Sequence, residues 1–175
     1  AEVVGIFSDQ QHAPILKLGP RFDVSAFYLN PGNYRTKLDG DAELHWIDMI
    51  RPLAPDLVVL AGFMRVVKQP FLQAFPRTLN LHPSLLPKYP GLDAIARALA
   101  AGEAETGCTV HWVSEDVDAG AIIDQETVPI EPGETLESLE ERVHDAEHSL
   151  ICRCVKRIAR HLYIDEVSGR SQVDP

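Results

Sequence analysis

The run Asp56-Leu-Val-Val-Leu-Ala-Gly62 constrains this chain more than any other stretch, because an extended segment with that pattern is apolar on both faces. Such a strand belongs inside a sheet that helices cover from both sides, the arrangement of parallel α/β folds. The residues before it agree. From Asp41 the apolar positions Leu44, Ile47, Ile50 and Leu53 recur at helical spacing, with Asp41 as the expected cap and Pro55 closing the helix. A strand is expected in Glu2–Ser8 and a weaker one in Asp23–Leu29, followed by the turn residues Asn30-Pro-Gly-Asn33. Strand, helix and strand in that order predict a βαβ unit and a mostly parallel, Rossmann-like open sheet of the α/β class.

The downstream half reads differently. A short helix is expected over Lys68–Phe75, a strand over Thr78–His82 and an Ala-rich helix over Leu92–Ala101. Cys108–Ser114 alternates, with Val110 and Trp112 set against Thr109, His111 and Val113, and a second extended run covers Ala121–Ile130. Only Glu115–Gly120 separates the two, which predicts an antiparallel hairpin whose tip carries Asp116 and Asp118. Thr135 is placed to cap a long helix reaching about His161, with Leu136, Leu139, Val143, Ala146, Leu150, Cys154 and Ile158 as its apolar stripe. The polar tail after Tyr163 is expected to fray. A chain of 175 residues that is 45% hydrophobic has material for one globular domain, taken as residues 1–175.

The formal net charge of −10 argues against a nucleic-acid partner, because phosphate backbones are gripped by clustered Lys and Arg. No apolar run is long enough to cross a bilayer. Three cysteines, with no C-x-x-C pair, fit a reducing compartment, so a cytoplasmic location is expected.

Chemistry concentrates in Thr78-Leu-Asn-Leu-His-Pro-Ser-Leu-Leu-Pro-Lys-Tyr-Pro-Gly91. Alternation turns Asn80 and His82 to one face, and Pro83 stops the strand just beyond them. They therefore sit at a carboxyl end, where open α/β sheets bind ligands. A carboxamide donor beside an imidazole suits stabilisation of an oxyanion together with proton handling. Asp118 is the natural third member if the hairpin tip folds back, although Asp118 and Gly120 can equally serve only the turn. His144-Asp-Ala-Glu147-His148 has the H-x-x-E-H spacing of one zinc peptidase class, but it lacks a credible third ligand downstream, so no metal is expected. Arg65, Lys68 and Lys88 follow strand ends and could meet ligand carboxylates, or could be ordinary surface charge.

Taken together, Leu60-Ala-Gly-Phe-Met-Arg65, Leu79-Asn-Leu-His-Pro-Ser-Leu-Leu-Pro-Lys-Tyr-Pro-Gly-Leu92, Gly107-Cys-Thr-Val-His-Trp-Val113 and Asp118-Ala-Gly120 resemble the phosphoribosylglycinamide formyltransferases, folate-dependent enzymes of purine synthesis. The resemblance implies transfer of a formyl group from 10-formyltetrahydrofolate to the amine of glycinamide ribonucleotide, with Asn80, His82 and Asp118 as the catalytic trio. It also implies a folate pocket formed by Leu60, Met64, Arg65, Val66 and Val67 with Glu115, Asp116 and Val117 of the hairpin tip. Gly62, Pro83 and Glu147 are implied on the amine-substrate side, and a homodimer is a possible assembly. The family's glycine-rich phosphate loop has no counterpart here, which leads to the expectation that an N-terminal βα unit precedes Ala1 in the natural protein. Asp93 and Ile95 stand where many members have His-x-His, and Ile151-Cys152 replaces a common Tyr-Pro pair. The alternatives are a formyltetrahydrofolate deformylase-like hydrolase and a folate-binding domain without activity.

Overall fold

A computed structural model describes residues 1–168 of the chain. They form two compact units, Glu2–Thr78 and the segment from Leu79 onward, with Ala1 belonging to the latter.

In Glu2–Thr78, β1 (Ile6–Ser8) and β2 (Ala26–Tyr28) pair in parallel, with Ile6 opposite Ala26 and Ser8 opposite Tyr28. A 3-10 turn and α1 (Leu18–Phe22) make the crossover between them. α2 (Asp41–Ile50) starts one residue earlier than expected: Gly40, at φ 59°, is its N-cap, and Asp41 is already helical in the first turn, where its charge faces free N–H groups. The buried face of α2 is also rotated from the expected one. Glu43, Trp46, Ile47 and Ile50 are buried, whereas Leu44 is 53% exposed. Glu43 earns its burial by accepting the Lys68 N–H at 2.7 Å, at the start of α3 (Gln69–Ala74). β3 (Val58–Ala61) departs from the fully buried strand expected. Val58 and Leu60 are half-buried and Val59 and Ala61 are exposed, because burial of a two-faced apolar strand needs an element over each face.

The unit from Leu79 is built on antiparallel pairing. β4 (Thr78–His82) runs against β5 (Glu105–Trp112), which forms the expected hairpin with β6 (Ile122–Pro129). Antiparallel pairing thus reaches one strand beyond that hairpin. α4 (Ala94–Ala100) follows the loop after β4, and α5 (Leu136–Ser168) packs across β5 and β6. Thr135 caps α5 as expected, its Oγ1 accepting the Ser138 N–H at 3.3 Å. Leu139, Val143, Leu150 and Cys154 are fully buried along one stripe, and each such aliphatic side chain contributes about 1.5–3 kcal/mol of transfer free energy. The helix continues past the expected end near His161 to Ser168; the remainder of the tail, residues 169–175, lies outside the described residues. Among the described residues no helix is long and apolar enough to cross a membrane.

Candidate active site

The site begins with register. Asn80 lies opposite His111 and His82 opposite Thr109 across the β4–β5 ladder. Directly opposed side chains share a face, so two polar residues of β4 meet two of β5, while Leu79 and Val110 turn to the buried apolar side. Asp118 arrives from the hairpin tip. The Trp112 N–H donates to Ala121 O at 2.9 Å to close the tip, and a Cβ on Gly120 would stand 1.7 Å from Trp112 O, so only glycine allows this return. Asp118 itself adopts a left-handed φ of 54°, the kind of local strain that persists where surrounding contacts over-determine it.

Those contacts are specific. Asp118 Oδ2 accepts the Gly91 N–H at 2.8 Å and lies 3.3 Å from His82 Nδ1. Asp118 Oδ1 accepts from Asn80 Nδ2 at 3.4 Å and is 3.6 Å from His111 Nε2. His111 Nδ1–H donates to Trp112 O at 2.8 Å, which directs Nε2 towards Asn80 Nδ2, 3.2 Å away. Burial alone would raise the Asp118 pKa. His111, the Gly91 N–H and the His82 charge outweigh it and hold the carboxyl below its ordinary value of 3.8. His82 is 5% exposed, and its Nε2–H donates to Tyr89 O at 2.9 Å. With an acceptor at each ring nitrogen, the imidazolium form satisfies both bonds.

The Pro-rich loop after His82 is a fixed structure. The Thr109 hydroxyl donates to Ser84 O at 2.6 Å and accepts the Leu86 N–H at 3.1 Å, while Gln125 Nε2 donates to Leu86 O and to Thr109 Oγ1. Ser84 Oγ in turn donates to Lys88 O at 2.6 Å.

Of the expected site residues, Asn80, His82 and Asp118 come together. Pro83 follows His82 directly, and Glu115, Asp116 and Val117 form the exposed part of the tip that carries Asp118. Glu147, its side chain 13% exposed, sits on the buried side of α5, with its carboxylate 3.8 Å from His144 Nε2. Burial raises its pKa, and the nearby His144 and His148 only partly oppose that. Within Glu2–Thr78, Leu60 is the last residue but one of β3, Gly62 follows the strand at φ 65°, Met64 is 64% exposed and Val67 is buried. Val66 is held by backbone bonds to Thr36 and Leu38. Arg65 is not free to meet a ligand carboxylate: its Nε–H donates to Asp9 at 2.7 Å, and its Nη1 also bonds Tyr34 O. Lys88 is likewise paired, with Glu103 at 2.9 Å. Among the described residues no group of three or more His, Cys, Asp or Glu side chains is arranged to hold a metal.

His111 and Thr109 are the site residues that sequence reasoning passed over. The signal was present, because Thr109 and His111 alternate on one face of β5 just as Asn80 and His82 do on β4, and antiparallel pairing of the two strands brings those faces together.

An α/β domain that gathers a carboxamide, an imidazole and a carboxylate at a strand end has the groups to stabilise a carbonyl oxygen as it gains charge, the chemistry of acyl-group transfer. The family described as Formyl transferase matches residues 1–155, and the chain belongs to it. Phosphoribosylglycinamide formyltransferase from Bacillus subtilis (strain 168) is 35% identical over 86% of this chain and 76% of its own length. The trifunctional purine biosynthetic protein adenosine-3 of Drosophila melanogaster is 43% identical over 85% of this chain, which spans 11% of the fly protein. Among solved structures, glycinamide ribonucleotide transformylase 1 from Symbiobacterium toebii superposes with a TM-score of 0.85 at 39% identity, covering 91% of this chain and 74% of that one.

Proposed function

We propose that this chain transfers a formyl group from 10-formyltetrahydrofolate to the primary amine of glycinamide ribonucleotide, in the cytoplasm. The observation that carries the reading is the Asp118 carboxylate, which engages Asn80, His82 and the loop backbone at Gly91 at once. The relatives' names, phosphoribosylglycinamide formyltransferase and glycinamide ribonucleotide transformylase, supply the substrate.

Attack of the amine on the formyl carbon turns the carbonyl oxygen into an oxyanion, and the site is organised for that charge. The Asn80 amide nitrogen lies between His111 Nε2 and Asp118 Oδ1, which fixes its plane, and its N–H groups are the donors assigned to the oxyanion. His82, held between Asp118 and Tyr89 O, is the neighbouring cation that lowers the energy of the same charge. Asp118 keeps that cation in place and, ionised, receives the proton shed by the amine, through water; when the oxyanion collapses, the bond from the formyl carbon to N10 of the folate breaks and N10 takes that proton back, so that tetrahydrofolate leaves and the formylated amine remains. Glu147 and Gly62 are assigned to the amine substrate. Leu60, Met64, Val66 and Val67, with the exposed tip Glu115–Val117, are assigned to the folate; Arg65, committed to Asp9, is left only its backbone for that role.

The test follows formyl transfer with and without glycinamide ribonucleotide. Wild type is expected to turn over only with the amine present, and Asn80→Ala to lose about a hundredfold in kcat, the usual effect of removing one oxyanion donor. Folate turnover that ignores the amine would make the protein a hydrolase, and an unchanged kcat in Asn80→Ala would remove the assigned oxyanion role.

A further inference from the structure

Tyr89 is a non-glycine residue at φ 54°, a backbone state that L side chains avoid because Cβ crowds the following carbonyl. Its carbonyl is the acceptor of His82 Nε2–H, and two residues later the Gly91 N–H holds Asp118. The inner side of the turn Lys88–Gly91 therefore grips two members of the trio through backbone atoms alone. On the outer side the same turn is tied down by side chains. Tyr89 Oη–H donates to Glu103 Oε1 at 2.8 Å, and Lys88 Nζ donates to Glu103 Oε2 at 2.9 Å. Arg97 Nη1 donates to Pro90 O at 2.7 Å, and its guanidinium lies 5.4 Å from the Tyr89 ring centre.

We propose that Glu103 is a positioning residue for the reaction: from outside the site it anchors the Tyr89 ring, and so keeps the Tyr89 carbonyl on His82 Nε2. Ser84 Oγ also reaches the Tyr89 carbonyl, but only at 3.4 Å, its short bond going to Lys88 O; nothing else in the turn restrains the Tyr89 ring through its hydroxyl, and a tyrosine released from Glu103 relaxes towards negative φ, swinging its carbonyl off the imidazole. The bonds from Lys88 and Tyr89 also hold the Glu103 carboxyl below its ordinary pKa, so it is charged at neutral pH. Glu103 touches no reacting atom. Its effect reaches the chemistry only through backbone geometry, which separates it from the oxyanion groups and from the folate and amine contacts.

The activity consequence rests on the formyl-transfer reading, whereas the geometric one does not, so the test has two arms on the full chain. The first follows the His82 Nε2–H signal by 15N NMR and its exchange with water, using His82→Gln to assign the signal. Tyr89→Phe and Glu103→Ala are each expected to speed that exchange about tenfold or more by releasing the acceptor. Glu103→Gln, which keeps an acceptor oxygen for the tyrosine hydroxyl, and Lys88→Met, which leaves the Tyr89 bond intact, should stay near wild type. The second arm measures transfer: Tyr89→Phe and Glu103→Ala are expected to lower kcat by about tenfold, with KM for both substrates changed by less than about twofold, since misplacement of a catalytic group penalises the transition state and not ground-state binding. Unchanged exchange in Tyr89→Phe and Glu103→Ala overturns the proposal whatever the rates do. Faster exchange in a protein whose wild type transfers no formyl group overturns the functional reading and leaves the Glu103 anchor standing.

Discussion

Asp118 and Glu147 are two carboxylates of the same unit with nearly equal side-chain exposure, 10% and 13%, yet their pKa values move in opposite directions. Burial raises both. At the hairpin tip it is overcome by a backbone N–H and two imidazoles aimed at the carboxylate, whereas on α5 two histidine charges are all that oppose it. The number and aim of the donors, more than the degree of burial, decide which carboxylate stays charged. Asp118 is thus held towards its ionised form beside His82, and Glu147 towards its neutral form, whose ionisation gains only when a cation or a hydrogen-bond donor arrives.

The largest effect should come from removing the charge at the tip. Asp118→Asn keeps the shape but gives up the anion opposite His82, and kcat for formyl transfer should fall about a hundredfold or more, the scale of a lost acid–base group. A fall of less than about threefold would mean that the donors around Asp118 serve the turn alone and that the contrast with Glu147 has no bearing on catalysis. Next in size is His111→Ala. It leaves the Asn80 amide without its partner and opens a buried polar gap, so stability should drop by about 1–3 kcal/mol, read by urea denaturation. Its kcat should drop by about tenfold, because the oxyanion donor is loosened but not lost. A stability loss with an intact kcat would show that Asp118 alone suffices to orient Asn80.

The contrast also shows where the sequence was informative. Asn80, His82 and Pro83 declared themselves by alternation and a strand stop, whereas the six-residue connection between extended runs left Asp118 open between a site role and a plain turn, and only the family resemblance singled it out. The burial of Glu147 was not read from the sequence, which placed it only through the family resemblance, although its spacing of four residues after Val143 and three before Leu150, both fully buried, carried the signal. The charge states were not legible, since they depend on Gly91 and Tyr89 backbone groups that a left-handed turn brings in from the far end of the loop. His111 showed in the alternation of its own strand but was passed over for a related reason: a strand does not show its partner or its register. In Glu2–Thr78 the misreadings were of faces and not of elements. α2 was expected where it occurs, but with Leu44 inward, because the buried role of Glu43 comes from a distant N–H at Lys68 that no local period announces.

The smallest effect gives the sharpest test, because linkage makes the two carboxylates oppose each other in separate pH windows. Asp118, with its folded pKa below 3.8, adds stability that is present above that value and lost as pH falls through the folded pKa. Glu147, with its folded pKa above 4.5, adds stability only while protonated; that contribution is complete below 4.5 and lost as pH rises through the raised value. Glu147→Gln keeps the neutral shape at every pH. Its stability relative to wild type should therefore be lowest near pH 4.5, increase with pH and level off once Glu147 ionises in the folded protein. Urea denaturation of both proteins at pH 5 and at pH 8 measures the gap, which should be larger at pH 8. A gap that shrinks with pH would mean that donors meet Glu147 as they meet Asp118, and the two carboxylates would then be alike.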